Sequence, residues 1–162
     1  MQKRNKKLRS GTMFFEAVKA TPEVRECYCP GKSGILKKER NKVELKDSQK
    51  CGGSLYIDQC LSDQGLYPND NRWDYAIDYD GKVYFFEFHP AKTSEVSTVL
   101  RKLDWLKYWL HHKAPEINAL KATTKTPFYW VQSNGYHIPP NSPQGKTVLQ
   151  KGLIHVSKLV LE

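Results

Sequence analysis

The clearest alternation of apolar and polar positions lies in two β-prone runs on either side of Asp80-Gly81. These runs are RWDYAIDY before the dipeptide and KVYFFEFH after it. Asp-Gly is typical of a two-residue type I′ turn, so residues 72–89 are predicted to form a β-hairpin. Pro90 is expected to end the second strand.

Apolar residues at helical spacing predict two helices. In residues 12–20, Phe14, Phe15 and Val18 follow Thr12, which is in position to cap a helix, and Pro22 lies beyond its end. Residues 94–113 form a longer amphipathic pattern. Its apolar stripe consists of Val96, Val99, Leu100, Leu103, Leu106 and Leu110.

Two apolar runs in the last third of the chain predict strands. They are FYWVQS, which follows Pro127, and LIHVSKLVL near the end. The charge-rich segment ILKKERNKVELKDS is compatible with either a helix or a hairpin, and it stays unassigned. The order of helix, variable region, hairpin, long helix and strand indicates a mixed α/β layer arrangement.

Length and composition indicate one globular domain over residues 1–162. The chain has 162 residues, of which 39% are hydrophobic and 27% charged. We expect a basic tail at 1–10, a variable segment at 23–71 and a core at 72–160. No apolar run approaches the roughly 20 residues of a membrane helix, and no signal sequence is recognisable, so we expect a cytoplasmic protein without membrane contact.

Positive charge is in excess. Lys and Arg outnumber Asp and Glu by 26 to 17, which gives a formal net charge of +9. This excess favours a nucleic-acid partner, although a solvated basic surface is the alternative. Part of it lies in the predicted tail, which either clamps a phosphate backbone or is a frayed terminus. The tail residues are Lys3, Arg4, Lys6, Lys7 and Arg9.

The variable segment contains all four cysteines: Cys27, Cys29, Cys51 and Cys60. In a reducing compartment, thiols bind metal or stay buried more often than they form disulfides. Four thiolates would complete a tetrahedral Zn²⁺ site in a segment with little apolar content. Their spacing lacks the paired C-x2-C pattern, so unconnected buried thiols are the alternative.

The predicted turn fixes the register of the hairpin. It pairs Tyr79 with Lys82, and the following pairs then place Asp74 opposite Glu87. Because strand side chains alternate, one face carries Asp74, Ala76, Asp78, Val83, Phe85, Glu87 and His89. The other face carries Trp73, Tyr75, Ile77, Tyr79, Tyr84, Phe86 and Phe88.

Two directly opposed carboxylates repel each other unless a cation or a shared proton lies between them. Asp74 and Glu87, with His89 further along the same face, therefore indicate a hard-oxygen site for Mg²⁺ or Mn²⁺. The alternative is a shifted or bulged hairpin in which one carboxylate points to solvent.

This arrangement resembles the PD-(D/E)xK phosphodiesterase superfamily. In that superfamily an Asp opens one hairpin strand and an (Asp/Glu)-x-Lys motif closes the next, which Asp74 and Glu87-Phe88-His89 match. The resemblance implies an α/β fold with a restriction endonuclease-like core, in which helices flank a central mixed sheet and the elements follow in helix–strand–strand–strand–helix–strand order. It also implies a metal-dependent nuclease in which Asp74 and Glu87 hold Mg²⁺ or Mn²⁺.

The resemblance has departures, of which His89 in place of the motif Lys matters most. A His can act as a base or as an imidazolium in that role. Lys92 and Lys102 are alternative sources of the ammonium group. Glu16, in the first helix, resembles the additional acidic metal ligand of many such enzymes, although a solvated glutamate is the alternative.

We therefore expect a Mg²⁺-dependent nuclease that cleaves DNA, with Arg72, Arg101 and Lys102 contacting the phosphate backbone. A homodimer is compatible with this expectation. One alternative is a catalytically silent nucleic-acid-binding module on the same fold, and another is a zinc-organised protein-interaction domain. Leu161-Glu162 resemble vector-derived residues and are set aside.

Overall fold

The computed structural model describes residues 10–162. The α-helices are α1 Ser10–Lys19, α2 Ile57–Asp63, α3 Val96–His112, α4 Pro115–Ala119 and α5 Pro143–Gln150. The strands are β1 Val43–Leu45, β2 Cys51–Tyr56, β3 Tyr75–Tyr79, β4 Lys82–Lys92, β5 Phe128–His137, β6 Leu153–Val156 and β7 Leu159–Leu161. Short 3₁₀ helices span Lys37–Lys42, Ser48–Lys50 and Thr93–Glu95.

The central sheet has five strands in the order β2-β3-β4-β5-β6. The pairs β2/β3 and β3/β4 are antiparallel, whereas β4/β5 and β5/β6 are parallel. A separate parallel pair joins β1 to β7. The predicted α/β class with a mixed sheet is confirmed.

The predicted hairpin is confirmed in both its turn and its register, but its ends differ, since β3 begins at Tyr75 and β4 continues past Pro90 to Lys92. Asp80 and Gly81 have φ values of 53° and 78°. Positive φ at both central residues is the requirement of a type I′ turn. Tyr79 pairs with Lys82, and the register runs without interruption to Tyr75 and Phe86.

The two faces of the hairpin belong to two separate cores. Ala76, Val83 and Phe85 pack in a core with apolar residues of α1, α3, α4 and α5, so helices cover that face. The opposite face, including Tyr75 and Phe86, packs against residues of β1 and β7. Trp73 was predicted on this second face but packs in the helix-covered core, because it precedes β3 and lies outside the ladder.

Both predicted helices form, with shifted ends. Helix α1 begins at Ser10 rather than at residue 12, and it ends before Pro22. Phe14 and Val18 are buried, whereas Phe15 is partly exposed. Helix α3 buries its predicted stripe apart from Leu100, which is partly buried, and it also buries Trp109.

The charge-rich segment forms neither a long helix nor a hairpin. It supplies the 3₁₀ helix Lys37–Lys42 and strand β1, which pairs with β7. The run LIHVSKLVL was predicted as one strand, but it divides into β6 and β7, which lie in different sheets. Leu161, which was set aside, is a buried residue of β7, so it is part of the fold.

The predicted basic tail lies outside the described residues, apart from Ser10. Within residues 10–162, the structure contains no helix with the length and apolar character needed to cross a membrane.

Candidate functional site

The two predicted carboxylates lie side by side at one end of the hairpin. Asp74 immediately precedes β3, and Glu87 lies in β4. The backbone N–H of Asp74 donates to Glu87 Oε2 at 2.8 Å, and the N–H of Phe88 donates to Asp74 Oδ2 at 3.1 Å. Each carboxylate therefore accepts a backbone N–H from the other side of the hairpin, and the predicted proximity is confirmed.

Lys102 of α3 reaches the same point. Its Nζ forms an ion pair with Glu87 Oε1 and lies 4.0 Å from Asp74 Oδ1. The Glu87 side chain is fully buried, and those of Asp74 and Lys102 are largely buried. Lys102 lies on the side of α3 that faces the sheet, three residues after the buried Val99. The helix thus brings one ammonium group to two carboxylates.

One positive charge does not balance two buried negative charges. Burial and then the charge of Asp74 raise the pKa of Glu87 well above its ordinary value. Burial also raises the pKa of Asp74, although Lys102 and the Phe88 amide act in the opposite direction. Burial lowers the pKa of Lys102, but the two carboxylates outweigh it and the pKa rises. The cluster therefore favours an additional proton or cation.

Carboxylate oxygens such as those of Asp74 and Glu87 are the kind of ligand that hard divalent cations prefer. Carboxylate oxygens are preferred by Mg²⁺, which is commonly bound through one or two protein carboxylates together with water and substrate phosphate. Among residues 10–162, no group of three or more His, Cys, Asp and Glu side chains is arranged to hold a metal ion. A cation at Asp74 and Glu87 would therefore take its other ligands from water or substrate.

His89, the residue at the motif-lysine position, interacts with a different partner. Its Nε2 lies 2.7 Å from Glu95 Oε2, and its backbone carbonyl accepts a hydrogen bond from Trp130 Nε1 at 3.0 Å. Glu95 belongs to the 3₁₀ helix that precedes α3. His89 thus contacts the residue immediately before α3, the helix that carries Lys102.

The other predicted basic residues lie apart from the carboxylates or have internal partners. Lys92 is exposed at the end of β4 and pairs with His137. Arg101 is exposed and contacts Thr98. Arg72 forms an ion pair with Asp58 at 2.7 Å and donates to two backbone carbonyls, so much of its guanidinium group is already engaged.

Glu16, the predicted third acidic ligand, is exposed on α1. A different acidic residue, Asp58 of α2, acts on Asp74 and contributes to its raised pKa. The first amide of α2, that of Ile57, donates to the backbone carbonyl of Asp74 at 2.8 Å. Helix α2, rather than α1, therefore positions the residue that opens β3.

The predicted four-cysteine zinc site is not formed. Cys27 and Cys60 form a disulfide, and Cys29 and Cys51 are free thiols. A disulfide sulfur is no longer a thiolate ligand, so these cysteines cannot close a tetrahedral site together. The disulfide joins the segment after α1 to α2, and the expectation that all four thiols stay reduced is wrong.

Sequence reasoning missed Glu39, whose carboxyl group lies near the site. Glu39 belongs to the 3₁₀ helix Lys37–Lys42, and its Oε1 accepts a hydrogen bond from the Tyr75 hydroxyl at 3.3 Å. Burial and the charge of Asp74 raise the pKa of Glu39. No local pattern identifies this residue, because the segment around it has no periodicity.

The chain matches no family model, and it shows no significant similarity to a curated protein or to a solved structure.

Proposed function

We propose that this protein is a metal-dependent nuclease that hydrolyses phosphodiester bonds, with DNA as the expected substrate. The observation that carries the proposal is the cluster of Asp74, Glu87 and Lys102. Two buried carboxylates around one ammonium group leave a net negative charge, which suits a divalent cation.

Asp74 and Glu87 are the residues that would hold Mg²⁺ or Mn²⁺. Such an ion supplies a water molecule of lowered pKa and neutralises charge that develops on a phosphate. The chain itself fixes the direction of both carboxylates, because the amides of Asp74 and Phe88 donate to them. Hydrogen bonds that fix the direction of a carboxylate keep the reacting groups in the correct relative orientation.

Lys102 takes the part of the motif lysine in this proposal. Its Nζ is the ammonium group at the carboxylates, whereas the ring of His89 is directed to Glu95. A buried ammonium group beside a bound phosphate stabilises the negative charge of the transition state. Because Lys102 comes from a helix, the ammonium reaches the site from outside the sheet.

The order of the elements supports the proposal. Helix α1 is followed by β2, β3 and β4, then by α3 and β5, with β1, α2 and α4 as additional elements between them. This sequence of elements agrees with the helix–strand–strand–strand–helix–strand order that the resemblance to PD-(D/E)xK enzymes implies. Asp74 and Glu87 match the two motif carboxylates of the hairpin, whereas Lys102 comes from α3 and His89 occupies the strand position of the motif lysine.

The net charge of +9 supports a polyanionic substrate. A basic chain attracts nucleic acid without selecting its sequence, so the charge favours nucleic acid over small phosphodiesters.

The decisive experiment is a cleavage assay with matched variants. Purified protein is incubated with plasmid DNA, single-stranded DNA and single-stranded RNA in Mg²⁺, Mn²⁺ or EDTA. Asp74→Asn and Glu87→Gln preserve shape while removing charge, and Asp104→Asn, on the exposed side of α3, is the control. Cleavage by wild type and control in Mn²⁺ or Mg²⁺, and none by the two site variants, supports the proposal.

Equal cleavage by wild type and both site variants identifies a contaminating nuclease and removes the enzymatic proposal. If neither cleaves, while wild type retains salt-dependent affinity for DNA, the protein is a silent nucleic-acid-binding module. Circular dichroism of each variant establishes that it is folded.

A further inference from the structure

Three of the four cysteines, Cys27, Cys29 and Cys60, line one cavity of about 220 Å³. Cys27 and Cys60 form the disulfide, and Cys29 is a free thiol. The two disulfide cysteines also line a second cavity of about 230 Å³, together with Glu23 and Gln64. A free thiol, a disulfide and open space therefore meet at one place in the fold.

Strand β2 holds Cys29 in position. The backbone N–H of Cys29 donates to the Ser54 carbonyl at 3.0 Å, and the Ser54 N–H donates back to the Cys29 carbonyl at 2.8 Å. The Cys29 thiol donates to the carbonyl oxygen of Cys27 at 3.6 Å. Both Cys27 and Cys29 are partly exposed. The free thiol thus lies beside one half of the disulfide, in a place that water reaches.

The sulfur of Cys60 lies among groups that suit a thiol or a thiolate. Gln64 Nε2, which also donates to two backbone carbonyls, lies 3.5 Å from Cys60 Sγ. The carbonyl oxygen of Glu23 lies 3.7 Å from the same sulfur. A disulfide sulfur has no proton for this carbonyl, whereas a Cys60 thiol has one. These contacts favour Cys60 as the sulfur that leaves when the disulfide is attacked.

We propose that Cys27, Cys29 and Cys60 form a thiol–disulfide exchange site. Cys29 gives up its proton to water, and its thiolate attacks Cys27 Sγ. A Cys27–Cys29 bond forms as the Cys27–Cys60 bond breaks. The electron pair of the broken bond leaves with Cys60, whose thiolate takes up a proton from water. One disulfide and one thiol are present before and after the step, so it needs no oxidant or reductant.

The separations along the chain set the balance between the two disulfides. Only Tyr28 lies between Cys27 and Cys29, so the attacking thiolate is always close to its target. The bond between Cys27 and Cys60 closes a separation of 33 residues, and a longer closed loop stabilises the folded state more. We therefore expect Cys27–Cys60 to be the main form and Cys27–Cys29 to be the minor one.

The exchange releases helix α2. Cys60 lies within α2, and its disulfide is a covalent link from this helix to the segment after α1. The first amide of α2, that of Ile57, donates to the carbonyl of Asp74, and Asp58 of α2 forms an ion pair with Arg72. Release of Cys60 therefore loosens the helix that contacts the residue before β3. The exchange itself does not depend on the proposed nuclease function, since no step of it involves the carboxylates.

Cys51 provides a matched control. It is also a free and partly buried thiol, but in the part of the chain that the structure describes it lines neither cavity. Its Sγ donates to the Gly53 carbonyl at 4.0 Å. Burial raises the pKa of Cys51, which lowers its thiolate fraction. We expect Cys51 to take no part in the exchange.

The first test maps disulfides in the folded protein. Wild type, Cys29→Ser and Cys51→Ser are incubated near neutral pH without added thiol, quenched with acid to stop exchange, alkylated and digested for mass spectrometry. We expect a minor population with a Cys27–Cys29 bond and an alkylated Cys60 in wild type and in Cys51→Ser. In Cys29→Ser, which keeps the disulfide, alkylation of Cys60 is lost.

The second test uses Cys60→Ser, in which the disulfide of the structure cannot form. Treatment with oxidised glutathione should join Cys27 to Cys29. Hydrogen exchange of the Ile57 amide should be about tenfold faster or more than in Cys29→Ser, because α2 has lost its covalent link. Circular dichroism of each variant verifies that it is folded.

Only Cys27–Cys60 in wild type, or equal alkylation of Cys60 in wild type and Cys29→Ser, overturns the exchange site. Mixed disulfides with glutathione at both Cys27 and Cys29 in Cys60→Ser also overturn it, since the two sulfurs then do not reach each other. Unchanged hydrogen exchange at Ile57 overturns the release of α2. None of these measurements uses cleavage, so a protein that cleaves nothing can still uphold the exchange site.

Discussion

Lys102 and Glu87 form an ion pair in which the carboxylate is fully buried. The two residues come from α3 and β4, and the pair joins the helix layer to the sheet beside Asp74. Burying two charges is costly, and such a pair is weak evidence for a stabilising role. Its position next to a second carboxylate is the observation on which the proposed metal site rests.

Removing the ammonium group should impair cleavage far more than removing the imidazole. We expect Lys102→Met to lower the rate of DNA cleavage by about 100-fold or more. The variant lacks the ammonium group that stabilises the negative charge developing on the phosphate in the transition state. His89→Ala should cost much less, since His89 contacts Glu95. Single-turnover cleavage measures both rates. A larger loss of rate in His89→Ala than in Lys102→Met would show that His89, and not Lys102, acts in place of the motif lysine.

The same ion pair predicts a coupled effect on stability. Lys102→Met should lower the free energy of unfolding by about 3 kcal/mol, because it leaves Glu87 without its cation. In Lys102→Met/Glu87→Gln the uncompensated charge of Glu87 is gone, so at least half of the loss should be recovered. Urea unfolding of wild type, both single variants and the double variant measures the coupling. Additive losses would contradict an energetically significant pair.

Asp78 should make stability depend on pH. Its carboxyl group is buried and, among residues 10–162, neither oxygen has a hydrogen-bond partner. Burial, aided by Asp80, raises its pKa from 3.8 to about 7, and Tyr28 and Cys51 lie near enough to be affected by its charge. The folded state therefore favours the protonated acid.

Because the pKa is raised in the folded state, the stabilisation is complete below about pH 4 and is lost as pH rises through about 7. Asp78→Asn should remove this dependence and be more stable than wild type at pH 8. Thermal unfolding between pH 4 and pH 8, with Asp104→Asn as the exposed control, tests it. Parallel pH curves for wild type and Asp78→Asn would contradict the assignment.

The disulfide between Cys27 and Cys60 should stabilise the fold. It closes a sequence separation of 33 residues. A loop of this size predicts a loss of about 2–4 kcal/mol in Cys27→Ala/Cys60→Ala, chiefly because the unfolded chain gains freedom. Chemical unfolding measures this loss, and Cys29→Ala/Cys51→Ala is the control.

The same bond fixes the number of reactive thiols. Alkylation of the denatured, unreduced protein should modify Cys29 and Cys51, and prior reduction should add Cys27 and Cys60. Mass spectrometry counts the modified residues. Four reactive thiols without reduction, together with one bound Zn²⁺ per chain, would reinstate the zinc-organised alternative.

The sequence by itself determined the hairpin and the proximity of its carboxylates. A two-residue turn at Asp80-Gly81 sets every following pair, so the register from Tyr79 back to Asp74 is a local property. The apolar stripe of α3 was equally local, because burial of one helix face leaves a periodic pattern. Both features can be predicted from residues that are close together in the sequence.

Only the tertiary structure decided which lysine serves the carboxylates, how the cysteines pair and what covers the second face of the sheet. Lys102, Cys60 and the β1/β7 pair each depend on contacts between segments that are far apart in the chain. Such contacts are selected by packing of the whole domain, and they leave no periodic signal in a single sequence. The charge-rich segment around Glu39 shows this most clearly, since its place beside Asp74 follows from the fold alone.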